Sequence, residues 1–207
     1  MGLTAEQLRT SLDALAAAEP AFAAAIGRVG YPPPRIREPG YATLLRTIVG
    51  QQVSVHAAAA VWRRLEEALG DVEDPALLAA ASDETLRAAG LSRQKIGYAR
   101  SLAEEVSSGR LDLAALPEDD EEAIAALTRI KGIGRWSAEI YLLFAEGRAD
   151  IWPAGDLAVQ IEVGRILGHA ERPNEKLVRV LADAWRPHRG AAAIFAWHHY
   201  NSKMDVI

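Results

Sequence analysis

Apolar residues recur at helical spacing along most of the chain, and polar caps, prolines and glycines punctuate the runs. Leu8, Leu12 and Leu15 follow Thr4, a natural N-cap, and define a first helix. Pro20 opens a second that stops near Gly30. Tyr31-Pro32-Pro33-Pro34 is extended, because each proline disfavours helix in its predecessor, and it is the clearest linker composition in the chain. A helix carrying Tyr41, Leu44, Leu45 and Ile48 begins after Pro39-Gly40 and runs into Gly50-Gln51-Gln52-Val53-Ser54, where Ser54 caps a long helix, Val55–Leu69.

The second half keeps the same rhythm. Asp74-Pro75 opens a short helix, and Ser82 caps another that ends at Gly90. Residues 93–106 place Ile96, Ala99, Leu102 and Val106 on one face. Pro117 and the acids after it lead into a helix over 119–130, with the acidic residues at the electrostatically favoured N-terminus. Leu157–Leu167 has Leu157, Ile161 and Ile166 inward, Asn174 caps 175–185, and Pro187 interrupts before a last helix with Ile194, Phe195, Trp197 and Tyr200. About ten helices joined by short loops, with no internal repeat, predict an all-α protein.

Composition narrows the function classes. The 207 residues are half apolar with sparse β-branched runs, and no apolar run approaches the roughly 18 residues of a membrane span. The first residues read as an amphipathic helix without a basic leader, so the expectation is a soluble, cytoplasmic, nucleoid-associated protein of bacterial type. The absence of cysteine excludes disulfides, thiol nucleophiles and a cysteine-held iron–sulfur cluster. The net charge of −5 opposes a nucleic-acid partner, yet the acids cluster in 66–74 and 118–122, while Arg93, Lys95, Arg100, Arg129, Lys131 and Arg135 fall at or near turns. Binding to phosphates is therefore expected to be modest and salt-sensitive.

The residues with most chemical content lie in 127–156. Lys131-Gly132-Ile133-Gly134 is a two-glycine turn between helices, and the unpaired N–H groups of the following helix suit a phosphate. A ligand-free helical hairpin fits the same spacing. Gly90-Leu91-Ser92 followed by Arg93 and Lys95 reads as a phosphate contact or a solvated helix start. Gln51-Gln52 reads as surface polarity or as amides aimed into a groove. Asp156, after the breaker Pro153-Ala154-Gly155, is at least an N-cap. His198-His199 face different directions on a helix with no evident carboxylate partner, and are expected at the surface or facing DNA.

Leu127-x-x-Ile130-Lys131-Gly132-Ile133-Gly134-Arg135-Trp136-Ser137-Ala138 and Trp152-Pro153-Ala154-Gly155-Asp156 occur together with Ile48-Val49-Gly50-Gln51-Gln52-Val53-Ser54 before them and Trp185-Arg186-Pro187 and Trp197 after. In this order the motifs resemble the helix-hairpin-helix DNA glycosylase superfamily, nearest its 3-methyladenine DNA glycosylase II branch, over most of the chain from about Pro39.

The resemblance implies two helical subdomains with a cleft between them. One comprises 41–145 with the helix-hairpin-helix at about 120–146; the other comprises 1–40 plus 146–207 and carries the catalytic aspartate, Asp156. The chain matches the compact form without an N-terminal β domain. Trp136, Gln51, Ile140, Trp152 and Trp197 fall at or beside base-pocket positions, where an indole face gives an alkylated, cationic purine about 0.5–2 kcal/mol of cation–π attraction. Trp136 and Trp197 also read as core on their helices, as do Trp152, Tyr141 and Trp185. Ile140 stands where a branch member has a pocket aromatic, and Gln52 where relatives insert an apolar wedge. Ser92, Arg93, Lys95, Gln52, Lys131, Gly132, Ile133, Gly134 and Arg135 are the implied DNA contacts.

Strand-cutting members carry a lysine nucleophile two positions after the second glycine; Trp136 stands there, so the resemblance implies a monofunctional enzyme leaving an abasic site. No cofactor is expected to be required; the Ile130–Gly132 carbonyls are a candidate seat for a monovalent cation. The implied partner is double-stranded DNA containing alkylated bases, met by a monomer. Two other readings stay open: a non-catalytic helix-hairpin-helix DNA-binding module, and a glycosylase for oxidised or deaminated bases.

Overall fold

A computed structural model describes residues 2–202, and every regular element among them is helical. In α1 (Ala5–Ala18), Thr4 accepts from the Gln7 N–H while the Gln7 side chain returns the bond, closing a capping box. α2 (Pro20–Val29) follows at once, with proline where its missing N–H costs nothing. The proline-rich segment 30–39 is extended up to α3 (Tyr41–Gly50). Serine or aspartate caps then start α4 (Val55–Leu69), α5 (Pro75–Ala80), α6 (Asp83–Ala88), α7 (Arg93–Ser107) and α8 (Asp120–Thr128).

α9 (Arg135–Tyr141) runs directly into a π-helical turn, Leu142–Glu146. A loop leads to α10 (Leu157–Leu167), then α11 (Glu175–Leu181), a 3-10 turn at Ala182–Trp185, and α12 (Arg189–Ser202). No helix among the described residues is long and apolar enough to cross a membrane.

The chain forms two compact units, Met1–Arg37 with Leu142–Ile207, and Glu38–Tyr141. The terminal unit is built on Leu8, Leu12, Leu15 and Phe22, all essentially solvent-free. Phe22 meets Trp185 edge-on at 5.1 Å and Phe195 at 5.9 Å, joining α2 to the end of the chain. In the central unit, Leu44, Leu45 and Ile48 of α3 are buried against α4 and α7, and α5 packs on α7.

The chain passes from one unit to the other at 37/38 and again at 141/142. Two hydrogen bonds mark those passages: Arg37 N–H donates to the Phe144 carbonyl at 2.9 Å within the terminal unit, and Gly40 N–H donates to the Tyr141 hydroxyl at 2.8 Å within the central one.

Three expectations are corrected. The helix expected over 119–130 stops at Thr128, because the backbone must reach positive φ at Gly132. The helix expected over 175–185 tightens to 3-10 at Ala182. In α10 the buried side is Val159, Gln160, Glu162, Val163 and Ile166, whereas Leu157 is 56% exposed. The apolar pattern misleads because Glu162 takes an inward place, with the buried His199 of α12 as its partner.

Candidate active site

In the central unit the glycine turn is held from three sides. Gly132 has φ 85°, a left-handed conformation, and a Cβ there would lie 2.2 Å from the Tyr98 ring of α7. The Lys131 N–H donates to Ser101 Oγ at 3.1 Å, and Gln51 Nε2 donates to the Gly132 carbonyl at 2.8 Å. Ile133 is buried beneath the turn, its N–H closing onto the Ile130 carbonyl at 3.0 Å.

Gly134 differs from Gly132: its φ is ordinary and a Cβ would meet nothing within 4 Å. Internal packing therefore explains the first glycine and not the second, whose bare backbone opens the start of α9. Sequence reading missed Tyr98 and Ser101; a tyrosine on an amphipathic helix gives no sign that a glycine will rest on it.

The other residues expected to touch DNA vary in how far internal partners occupy them. Arg135 bonds Glu121 through both terminal nitrogens and Glu139 through Nε at 2.9 Å; the Glu121 bond, foremost, raises its guanidinium above the usual arginine range. Lys95 Nζ donates to the Val49 carbonyl at 2.7 Å, closing the C-terminus of α3, and burial lowers its ammonium below the ordinary lysine value. Ser92 caps α7 through the Lys95 N–H at 3.2 Å, and Arg93 is exposed. Gln52, exposed at φ 55°, is the one non-glycine residue with positive φ among those described. Exposed Val53 and Val55 follow it. Trp136 is 48% exposed on α9, and Ile140 on the same helix is nearly buried.

In the terminal unit, Asp156 N-caps α10. Its Oδ1 accepts from the Val159 N–H at 3.0 Å and from Trp197 Nε1 at 3.1 Å. A helix N-terminus and an indole N–H thus converge on one carboxylate oxygen and fix its position at the start of α10. The loop before it is ordered by short bonds: Ala154 N–H to the Trp152 carbonyl (2.8 Å), Asp156 N–H to the Pro153 carbonyl (2.9 Å), and Gln160 Nε2 to the Ala154 carbonyl (2.8 Å).

Asp150 anchors the loop's start to α12. One oxygen takes Arg189 Nε at 2.9 Å; the other takes Arg189 Nη2 at 2.9 Å and Arg186 Nη1 at 2.8 Å. A Cβ on Gly190 would lie 2.6 Å from the Ala149 carbonyl oxygen, so the helix start and loop lie directly against each other.

Trp197 is also part of a ring stack. Phe144, in the π-turn, lies 5.6 Å from it with planes tilted 35°, and the Arg37 guanidinium sits 6.0 Å over Phe144. Phe144 was not singled out from sequence, because the π-turn shifts the phase of the apolar run that contains it.

Trp152 is a core side chain: it is 4% exposed, its Nε1 donates to the Val178 carbonyl at 3.3 Å, and it meets Trp185 edge-on. The histidine expectation is overturned. His199 is 1% exposed and bonds Glu162, itself fully buried, and Glu162 also receives Arg165 Nη1. His198 is half-buried, 3.0 Å from the Val29 carbonyl oxygen. α12 packs against α1, α2 and α10, which leaves these histidines little open surface.

A profile described as HhH-GPD superfamily base excision DNA repair protein matches residues 45–187. DNA-3-methyladenine glycosylase 1 of Schizosaccharomyces pombe is 33% identical over 165 residues, covering 78% of this chain and 72% of that one. A crystal structure of a DNA-3-methyladenine glycosidase from Bacillus halodurans superposes with TM-score 0.87 and 33% identity, over 95% of this chain and 91% of that one. A 3-methyladenine DNA glycosylase from S. pombe in complex with abasic DNA gives TM-score 0.77 and 30% identity, over 94% and 97% of the two chains. With the glycine turn braced by Tyr98 and Gln51 and with Asp156 capping α10 under Trp197, these likenesses lead to one conclusion: the chain belongs to the HhH-GPD superfamily of base excision DNA repair proteins.

Proposed function

We propose that this protein is a monofunctional DNA glycosylase that removes alkylated purines, of the 3-methyladenine and 7-methylguanine type, from duplex DNA and leaves an abasic site. The observation that carries the reading is Asp156 Oδ1 held by the Val159 N–H and by Trp197 Nε1. The carboxylate is held in place beside an aromatic wall. An N3- or N7-alkylated purine is cationic, so an indole face attracts it, and it leaves as a neutral base with little help from a general acid. The C1′–N bond breaks with its electron pair going to the base. Asp156 offsets the positive charge that develops on the sugar, and a water adds to C1′ and gives up a proton.

The hairpin's role is to hold the strand. Gly134 leaves the start of α9 bare for a phosphate, and the Ile130 and Gly132 carbonyls, each engaged by one internal donor, keep a second lone pair that would hold a monovalent cation, whose charge would favour the strand's phosphates. Trp136 at the lyase position supplies no amine for a Schiff base, so the backbone stays uncut.

The test is release of free 3-methyladenine and 7-methylguanine from methylated duplex DNA. Asp156→Asn keeps the helix cap and is expected to slow release by about 100-fold or more. Undiminished release by that variant would sink the mechanism, and strand scission without alkali or heat would contradict the monofunctional assignment. Duplex binding with neither base released would favour a non-catalytic module.

A further inference from the structure

We infer that the extended segment 30–37 gives the terminal unit its own grip on the DNA strand, with Arg35 and Arg37 taking phosphates next to the nucleotide being processed. The inference rests on the reading above that DNA is engaged at Asp156. Arg35 and Arg37 stand two residues apart on the extended segment, about 6.6 Å along the chain, which is of the order of the phosphate spacing on one strand. Arg35 and Arg37 are both exposed, and neither guanidinium meets a carboxylate among the described residues. That sets them apart from Arg100, Arg110, Arg135, Arg165, Arg186 and Arg189, which are neutralised by acids. In a chain of net charge −5, cations left unneutralised are where an anion gains most.

The segment is built to hold them still. Pro32 is buried, and Tyr31 bonds Asp13 while its ring lies 4.7 Å under the Arg9 guanidinium. The Arg37 N–H is fixed to the Phe144 carbonyl at 2.9 Å, and a Cβ on Gly2 would lie 3.1 Å from the Arg35 carbonyl oxygen. Consecutive prolines stiffen what lies between, so little backbone freedom remains to be lost on binding.

Their position fits the same role. The Arg37 guanidinium lies 6.0 Å over Phe144, Phe144 lies 5.6 Å from Trp197, and Trp197 Nε1 lies 3.1 Å from Asp156. Arg37 is therefore continuous with the proposed reacting centre within a single unit, and Arg35 stands two residues before it. A strand carries a phosphate for about every 3.4 Å of rise, so one that delivers a sugar to Asp156 brings phosphates to these arginines. Arginine's planar fork engages phosphate bidentately.

The experiment measures affinity for a duplex bearing a tetrahydrofuran abasic site across a salt series, with base release from methylated DNA assayed in parallel. Arg35→Ala/Arg37→Ala is expected to weaken binding about tenfold at moderate salt. It should also flatten the slope of log K against log salt by about 2, roughly 0.9 for each phosphate no longer neutralised. Arg35→Lys/Arg37→Lys should keep most of the slope. A wild-type slope in the alanine variant overturns the inference, and so does an equal loss in the lysine variant, which would point to packing. If wild type releases bases and the alanine variant binds like wild type, the inference fails alone. If the slope falls but wild type releases no alkylated base, the enzymatic reading fails and the phosphate grip stands. If wild type does not bind the duplex, both fail.

Discussion

Trp197 serves Asp156 in two ways that a single substitution separates. Phenylalanine keeps a ring against Phe144 and removes the Nε1 donor, a charge-assisted bond of about 1.5–3 kcal/mol. Trp197→Phe is expected to slow single-turnover base release about tenfold or more while shifting the thermal midpoint little; an unchanged rate would show that the indole acts only as a wall. The two hairpin glycines divide differently. Gly132→Ala meets positive φ and the Tyr98 ring, and should cost about 2–4 kcal/mol in denaturant unfolding. Gly134→Ala should leave stability within about 1 kcal/mol and weaken duplex binding. If both glycines moved stability equally, the distinction between an internal and an external demand would be wrong.

At the scale of elements, the junction of α10 with α12 carries the most. Glu162 is fully buried between His199 and Arg165, and Asp156 and Trp197 sit on the same two helices. Glu162→Ala strands His199 and should destabilise by about 3–5 kcal/mol, whereas Glu162→Gln keeps a partner for the ring and should cost less; equal losses by chemical denaturation would show that an amide cannot stand in for the carboxylate as the ring's partner. The sequence showed the caps well. Ser54, Ser82, Asn174 and Asp156 sit at the helix starts their side chains suggested, because N-capping is a local affair of three residues. It showed the buried face of α10 badly, because a carboxylate is legible as core only once His199 and Arg165 are known to meet it. Likewise nothing local ties Lys95 to the Val49 carbonyl, or marks Phe144 as the neighbour of Trp197; those pairings join residues about 50 apart, as the order of the helices in space dictates.

At the scale of the molecule, the central unit is a continuous stretch, Glu38–Tyr141, and the terminal unit is made of two pieces separated by it. The two ends of the central stretch are fastened together by the Gly40–Tyr141 hydrogen bond, so it closes on itself without help from the rest of the chain. The terminal unit has no such independence: Phe22 of α2 packs on Trp185 and Phe195, which follow it by more than 160 residues. During synthesis, therefore, the hairpin unit can mature while α1 and α2, packed on each other, wait with their faces toward α10 and α12 uncovered, a period in which chaperones would find their easiest hold. Stalled nascent chains exposing residues up to about 150 should already protect the central stretch from limited proteolysis while remaining cleavable near Leu15 and Phe22. Protection of both at that length would mean that α1 and α2 find other cover. Asp156 and Trp197 come together only when the last helix is out, so the proposed reacting centre is completed after the unit carrying the glycine turn has been made.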